Sequence, residues 1–164
     1  MKNFVKTTLL VLLIAALTLP FAACGEAGYR DDVSVKSIAD EINKSLSNIS
    51  NLSESDANYI SVQQKFPLDK CSEYLEMTQV SGIGIDEYGI FKMNDAASVE
   101  AMKTAMESYL ATARATFNEN YAPNERPKIE ASEVRVFGNY VMYAVLSDSE
   151  KDAAFSILES ALKK

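Results

Sequence analysis

The sequence contains no histidine. That removes the side chain that most often serves as a general base near neutral pH, and with it every zinc or triad arrangement that includes one. Glycine-rich phosphate loops are missing too: Gly82 and Gly84 are not followed by the further glycine and lysine that such motifs need. Cysteine is almost absent, with Cys24 and Cys71 alone, so there is no framework of disulfides of the kind that staples small secreted domains. Positive charge is scarce, 16 Lys and Arg standing against 23 Asp and Glu. This balance argues against nucleic acid as a partner, whose binders carry a basic patch, and against a polybasic grip on anionic lipid. No motif for a cofactor or a metal is present.

What is there begins with Lys2 and Lys6, followed by a run without charge from Thr7 through Ala23. This is the layout of a secretory signal peptide over residues 1–23. The run is short for a membrane-spanning helix, which needs about 20 predominantly apolar residues, and Pro20 disfavours a continued helix at its end. The next residues, Phe21, Ala22, Ala23, Cys24 and Gly25, resemble the lipobox that is cleaved just before a lipid-modified cysteine in bacterial lipoproteins, with Phe21 where leucine is usual. A secreted protein cut near Ala23 and a retained anchor are the alternatives, but an ordinary cleavage site has no need of a cysteine after it. Two or three acyl chains such as palmitate on Cys24 would exceed the single chain that gives only marginal membrane binding. The expected partner is therefore membrane lipid, through a covalent anchor at Cys24 on the extracytoplasmic side. Cys71 is then left without an intramolecular partner and reads as a small buried apolar residue or, less simply, a reactive thiol; without lipidation a Cys24–Cys71 disulfide becomes possible.

Cleavage leaves 141 of the 164 residues, and since Lys2 and Lys6 are the only charges removed, the mature balance is 14 basic against 23 acidic, net −9. This length suits one domain with a real core. Residues 24–32 read as the lipidated cysteine and a flexible tether, and 33–164 as a single domain. Val35, Ile38, Ile42, Leu46 and Ile49 recur at helical spacing, with Ser34 or Asp32 available as a cap. The Ser- and Asn-rich stretch 45–58 reads as the helix end and a turn. Two strands follow over 73–80 and 83–93, joined near Ser81 and Gly82. Asn94 and Asp95 cap a long helix carrying Val99, Met102, Met106, Tyr109, Ala113 and Phe117, which stops before Pro123. Residues 128–137 and 140–146 read as a hairpin turning at Gly138 and Asn139 with positive backbone angles. A last helix, capped within Ser147–Ser149, shows Phe155, Leu158 and Leu162 on one face. The order α-β-β-α-β-β-α predicts an α+β domain, a two-layer sandwich in which an antiparallel sheet of four strands carries helices on one face.

Two blocks carry a family likeness. The run Asp86, Glu87, Tyr88, Gly89, Ile90, Phe91, Lys92, and downstream Tyr121, Ala122, Pro123 with Ala131, Val134, Gly138, Asn139, Tyr140 and Val141, resemble the bacterial family termed domain of unknown function 4358. Members commonly have Tyr-Leu-Pro where this chain has Tyr121, Ala122, Pro123. The likeness spans about residues 35–162 and implies a lipoprotein of a Gram-positive bacterium; it implies no activity.

Candidate chemistry is confined to carboxylates and phenols. Asp86, Glu87 and Tyr88 lie between Gly84 and Gly89. They read as a small acidic ligand site, through oxygen ligands to a cation or acid–base work, or as a solvated turn or bulge. Lys92 could pair with these acids, bind an anion, or protect an exposed strand edge. Tyr140 and Tyr143 point to opposite sheet faces, one expected in the core and one at the surface; Tyr140, Tyr88 and Phe91 would form a binding patch if they shared an exposed face. The function expected is a non-enzymatic, membrane-anchored module binding an unknown envelope protein or small ligand. The alternative is a carboxylate-dependent enzyme acting on an envelope glycan, which needs two carboxylates about 5–9.5 Å apart in a cleft.

Overall fold

The computed structural model describes residues 28–118 and 120–164; the expected signal peptide 1–23, the expected lipidation site Cys24 and the first residues of the expected tether lie outside them. Helix α1, Val35–Ser45, buries Val35, Ile38, Ala39 and Ile42, the stripe its spacing predicts. Ser34 holds the cap position without a side-chain bond, Asp32 pairs with Arg30 at 2.9 Å, and the Val35 N–H donates instead to the Glu73 carboxylate at 2.9 Å. A carboxylate suits the positive end of a helix, and this bond is the main reason that Glu73 sits below the ordinary carboxylate range.

The sheet has five strands rather than the four expected, in the order β1-β2-β3-β5-β4, all antiparallel. Strands β2, Cys71–Gln79, and β3, Glu87–Met93, form the first expected pair. The additional strand is β1, Leu52–Glu54, within the stretch read as a turn; it pairs Leu52 with Gln79. Three residues are too few to show a two-residue period, and its polar composition hides it. The second hairpin joins β4, Glu133–Phe137, to β5, Tyr140–Val145, across the two residues expected, with Phe137 opposite Tyr140. Gly138 alone of the two has a positive φ, 59°. The strand expected from residue 128 starts later because Arg126–Glu130 forms a short helix, α3, with Pro127 in its first turn, where a fixed φ favours helix.

Helix α2, Ala96–Thr116, begins at Asp95, whose side chain accepts from the Ser98 N–H at 2.8 Å. Helix α4, Asp148–Leu162, buries Phe155, Leu158 and Leu162. The helices do not share one face. α1 and α4 cover Leu75, Tyr88, Ile90, Tyr140 and Met142, while α2, with Ile60, Phe66 and Ile129, covers Phe91, Met93, Val141, Tyr143 and Val145 on the other. The molecule is therefore three layers thick, not two. The reason is legible in β5, which is apolar at every position and buried at all of them; a strand apolar on both parities needs cover on both faces.

The two ends of the sheet differ. At the hairpin end, Tyr29 bridges Lys163, the Arg30 N–H donates to the Leu162 carbonyl at 2.7 Å, and the Tyr29 ring meets Phe137 edge-on at 5.6 Å. From Gly28 onward the segment expected to be free tether is thus held against the domain. Gln79, Glu87 and Val145 mark the opposite end.

Candidate functional site

The sheet separates the three neighbours read as one acidic cluster. Asp86, just before β3, is buried and accepts from Lys128 Nζ at 2.6 Å and Asn48 Nδ2 at 2.7 Å. Tyr88 points to the α1 face, where its buried hydroxyl donates to Asn43 Oδ1 at 2.7 Å; burial holds this phenol above its ordinary range. Glu87 points the other way, toward α2. Among the described residues no group of three or more Asp, Glu, Cys or His converges as a metal site would require.

Lys92 and Tyr140 stand at the hairpin end, away from Glu87. Lys92 lies 3.4 Å from Glu73 and 5.7 Å from the centre of the Tyr140 ring, and the Tyr140 hydroxyl donates to the Val33 carbonyl at 2.5 Å. Lys92 does not guard an edge, because β3 has a strand on each side. These two residues fasten the start of α1. Tyr140 and Tyr143 do face opposite ways, but both are fully buried, since each sheet face has its own helices. Tyr88, Tyr140 and Phe91 form no exposed patch: all three are buried, and Phe91 belongs to the α2 side.

What does assemble is a carboxyl pair on the α2 face. Glu87 accepts hydrogen bonds from the Tyr143 hydroxyl and, at 3.1 Å, from the Tyr109 hydroxyl of α2. Gln64 Nε2 reaches both Tyr143 Oη at 3.2 Å and Glu87 at 3.4 Å. On the neighbouring strand Glu76 is completely buried, in register with Gly89, and so lies diagonal to Glu87 on the same face. Neither Glu76 oxygen has a hydrogen-bond partner, nor has Gln64 Oε1.

Gly89 is what lets the site close. A Cβ there would stand 2.6 Å from the Phe91 ring and 2.7 Å from the Tyr143 ring, so the missing side chain is the space into which Tyr143 folds to reach Glu87. Its role is close approach within a regular strand, not the turn or bulge that the flanking glycines suggest.

Burial pushes the Glu87 carboxyl up to about 7, against a weaker downward pull from the Tyr143 and Tyr109 hydroxyls. Glu76 is pushed up to about 8, first by burial and then by the charge of Glu87, with Ser55, Tyr143 and Gln64 acting the other way. The phenols of Tyr109 and Tyr143 are raised by burial and by Glu87. Such a set can hold a proton near neutral pH or offer charge to a donor.

Glu87 and Tyr109 form part of the wall of a half-open pocket of about 530 Å³. Glu54, Asp56 and Tyr59 stand at its exposed rim, and Phe117 and Ile129 add apolar wall. No Lys or Arg belongs to its lining. The only described cysteine, Cys71, opposes Met93 at the other end of the sheet, and burial pushes its thiol up to about 12, which keeps it an unreactive packing residue.

Sequence reasoning finds Glu87 and places Tyr109 and Tyr143, but reads Tyr109 as core and leaves Glu76 and Gln64 unremarked. A signal exists for Glu76. Once β5 demands helices on both faces, the parity that Glu76 shares with Tyr74 and Thr78 can no longer be read as the wet side of β2.

Residues 44–146 match the model of the family described as Domain of unknown function (DUF4358). The matched segment holds all five strands, α2, α3 and the whole carboxyl site, and leaves out α4 and nearly all of α1. No curated protein and no solved structure matches the chain. Among the described residues no helix is long and apolar enough to cross a membrane.

Proposed function

We propose that this chain, a member of the DUF4358 family, works as a lipid-anchored, extracytoplasmic binding module of the bacterial membrane. The observation that carries the binding role is the 530 Å³ pocket with Glu87 and Tyr109 in its wall. Pockets of roughly 300–1,000 Å³ with a few placed polar groups are the usual form of a small-ligand site.

The anchor rests on the charge-free run before Cys24 and the small residues around it. It also sets an orientation. Three residues separate Cys24 from Gly28, four Cα-to-Cα steps that span at most about 14 Å, and Gly28 is fixed at the hairpin end, where its carbonyl accepts from the Lys164 N–H. The pocket lies at the other end of β3, six residues or about 20 Å away. A module so tethered presents its pocket away from the bilayer, toward whatever diffuses in the envelope.

An enzyme acting on an envelope glycan is the second reading, and the raised carboxyls of Glu76 and Glu87 are what favour it. Glu76 is completely enclosed and is not part of the pocket wall. A two-carboxylate hydrolysis needs both groups at the substrate, so binding is preferred.

Fractionation of cells carrying Cys24→Ala tests the anchor: the variant should leave the membrane fraction, and its continued sedimentation with membranes would reject anchoring by that residue. A photo-crosslinking residue at Val80 tests the pocket, since Val80 lines it and is 64% exposed. Adducts formed in intact cells at Val80 and not at Lys36, on the exposed side of α1, support the site; the same adducts from both positions would remove it.

A further inference from the structure

Both oxygens of Glu76 and Oε1 of Gln64 are enclosed and have no donor. The donors of the site converge on the neighbouring carboxyl instead: Tyr143 and Tyr109 donate their hydroxyls to Glu87, and Gln64 Nε2 reaches Glu87 and Tyr143. Buried acceptors without a donor are destabilising, a carboxylate most of all, and native proteins hold few of them. A proton on Glu76 resolves the arrangement. The protonated carboxyl becomes a donor, and Gln64, whose side chain stands close enough to act on Glu76, offers it the free Oε1. The negative charge of the pair then rests on Glu87, which has the donors, and the proton on Glu76, which has none.

Gln64 belongs to a strap, residues 56–66, that crosses the α2 face between β1 and β2 and is secured by the buried Ile60, Gln64 and Phe66. The strap's backbone hydrogen bonds close within it, from the Ile60 N–H to the Asp56 carbonyl, from Gln64 to Tyr59 and from Phe66 to Ile60. Among the described residues, side chains alone therefore hold it to the sheet. Lys65 has a φ of 63°, a left-handed angle that is unfavourable for a residue with a side chain, and the burial of Gln64 and Phe66 on either side keeps it there. Asp56 and Tyr59 of the strap form part of the pocket wall.

We propose that the strap is a gate whose latch is the Glu76 proton: donated to Gln64 Oε1, it holds residues 56–66 against the sheet, and its loss lifts them and widens the pocket. The groups around the latch set the direction. Glu87 of β3 faces Glu76 as a like charge, Tyr143 of β5 and Ser55 face it with hydroxyls, and Tyr59 of the strap faces it with a phenol. Tyr109 of α2 reaches the pair through Glu87, and Glu54 and Asp56 lie at the exposed rim. None of these carries positive charge, so a second carboxylate can be met only by water, and water enters when the strap rises. Burial pushes Glu76 up to about 8, which places the release in mildly alkaline conditions. The gate goes beyond the binding reading above and holds whatever the pocket takes.

Hydrogen exchange of the purified full chain in detergent, read by mass spectrometry at pH 6 and pH 9 and divided by the intrinsic rates, tests the gate. Protection of residues 60–66 should fall at least tenfold from pH 6 to pH 9 in the parent while α2 and β5 keep theirs. Glu76→Gln, whose amide supplies a donor to Gln64 Oε1 at every pH, should keep residues 60–66 protected throughout. Trypsin at pH 8.5 gives a second readout at a single pH: cleavage after Lys65 should be at least tenfold faster in the parent than in Glu76→Gln. Unchanged protection of residues 60–66 in the parent at pH 9 overturns the proposal, as does equal exchange or equal cleavage in the parent and Glu76→Gln. Loss of protection to the same extent in α2 and β5 overturns it too, because the whole domain would then be opening. Should Glu76→Gln fail to fold, the contrast between residues 60–66 and β5 in the parent still decides.

Discussion

Burial raises the carboxyls of Glu76 and Glu87 to about 8 and about 7 from an ordinary 4.5, so between those values the folded protein keeps protons that the unfolded chain gives up. The sign follows from linkage: where the native state binds more protons, stability falls as pH rises. The contribution is complete below about 4.5 and is lost on passing through 7 and 8. Each tenfold gain in a carboxylate's proton affinity on folding amounts to ~1.4 kcal/mol, and together the two groups predict a loss of a few kcal/mol between pH 5 and pH 8.5. Carboxylates with lowered values, such as Glu73 and Asp95, act in the opposite sense at more acidic pH and leave this window to the pair. Glu76→Gln should therefore match the parent in melting temperature at pH 5 and exceed it at pH 8.5. Parallel curves for the two proteins across that range, followed by circular dichroism, would show that Glu76 is not the source of the slope. At this scale the sequence is a partial guide. Glu87 and its neighbours are visible as a polar group between glycines, but which face each side chain takes depends on strand register, and Glu76 is surrounded by residues remote from it in the chain, Ser55, Gln64 and Tyr143.

Elements were legible where the period was long enough to read. α1, α2 and α4, the β2–β3 pairing and the Gly138 turn all follow from spacing, caps and turn residues. β1 was not, being three residues long and polar, and α3 was hidden because its residues adjoin a true strand. α3 matters for the site nonetheless. Its Lys128 bridges Asp86 at 2.6 Å and Glu125 at 2.8 Å, which ties the helix to the loop entering β3. Asp86 keeps only Asn48 Nδ2 and the lysine as side-chain donors. Lys128→Met should thus strand a buried carboxylate and cost about 2 kcal/mol, short of the ~3–5 for a fully buried pair because the lysine retains access to water. Pairing it with Asp86→Asn removes the uncompensated charge and should recover most of the loss. Urea unfolding of the two variants measures both effects; an equal loss in the double variant would mean that Lys128 stabilises α3 by some other route.

For the molecule as a whole, the layering and the orientation have a common origin in β5. Because that strand is buried on both faces, α4 must run back along the sheet from the pocket end to the hairpin end, and its last residues there meet the incoming chain at Tyr29 and Arg30. Entry and exit of the described chain are thus side by side, opposite the pocket. With lipid on Cys24 the span to Gly28 is at most about 14 Å, shorter than the roughly 20 Å from the hairpin turn to Glu87, so the domain cannot turn over without breaking the Tyr29 bridge. This makes a directional prediction for the lipidated protein in vesicles. A fluorophore on Asn139→Cys, at the hairpin turn, should be quenched by a quencher carried on the lipid headgroup, whereas one on Ile83→Cys, 68% exposed beside the pocket, should not; Cys71→Ala in both backgrounds keeps the labelling specific. Equal quenching at the two positions would mean that the domain tumbles at the surface or lies flat. Quenching at position 83 alone would mean that the pocket faces the bilayer, and its ligand would then have to come from the lipid side.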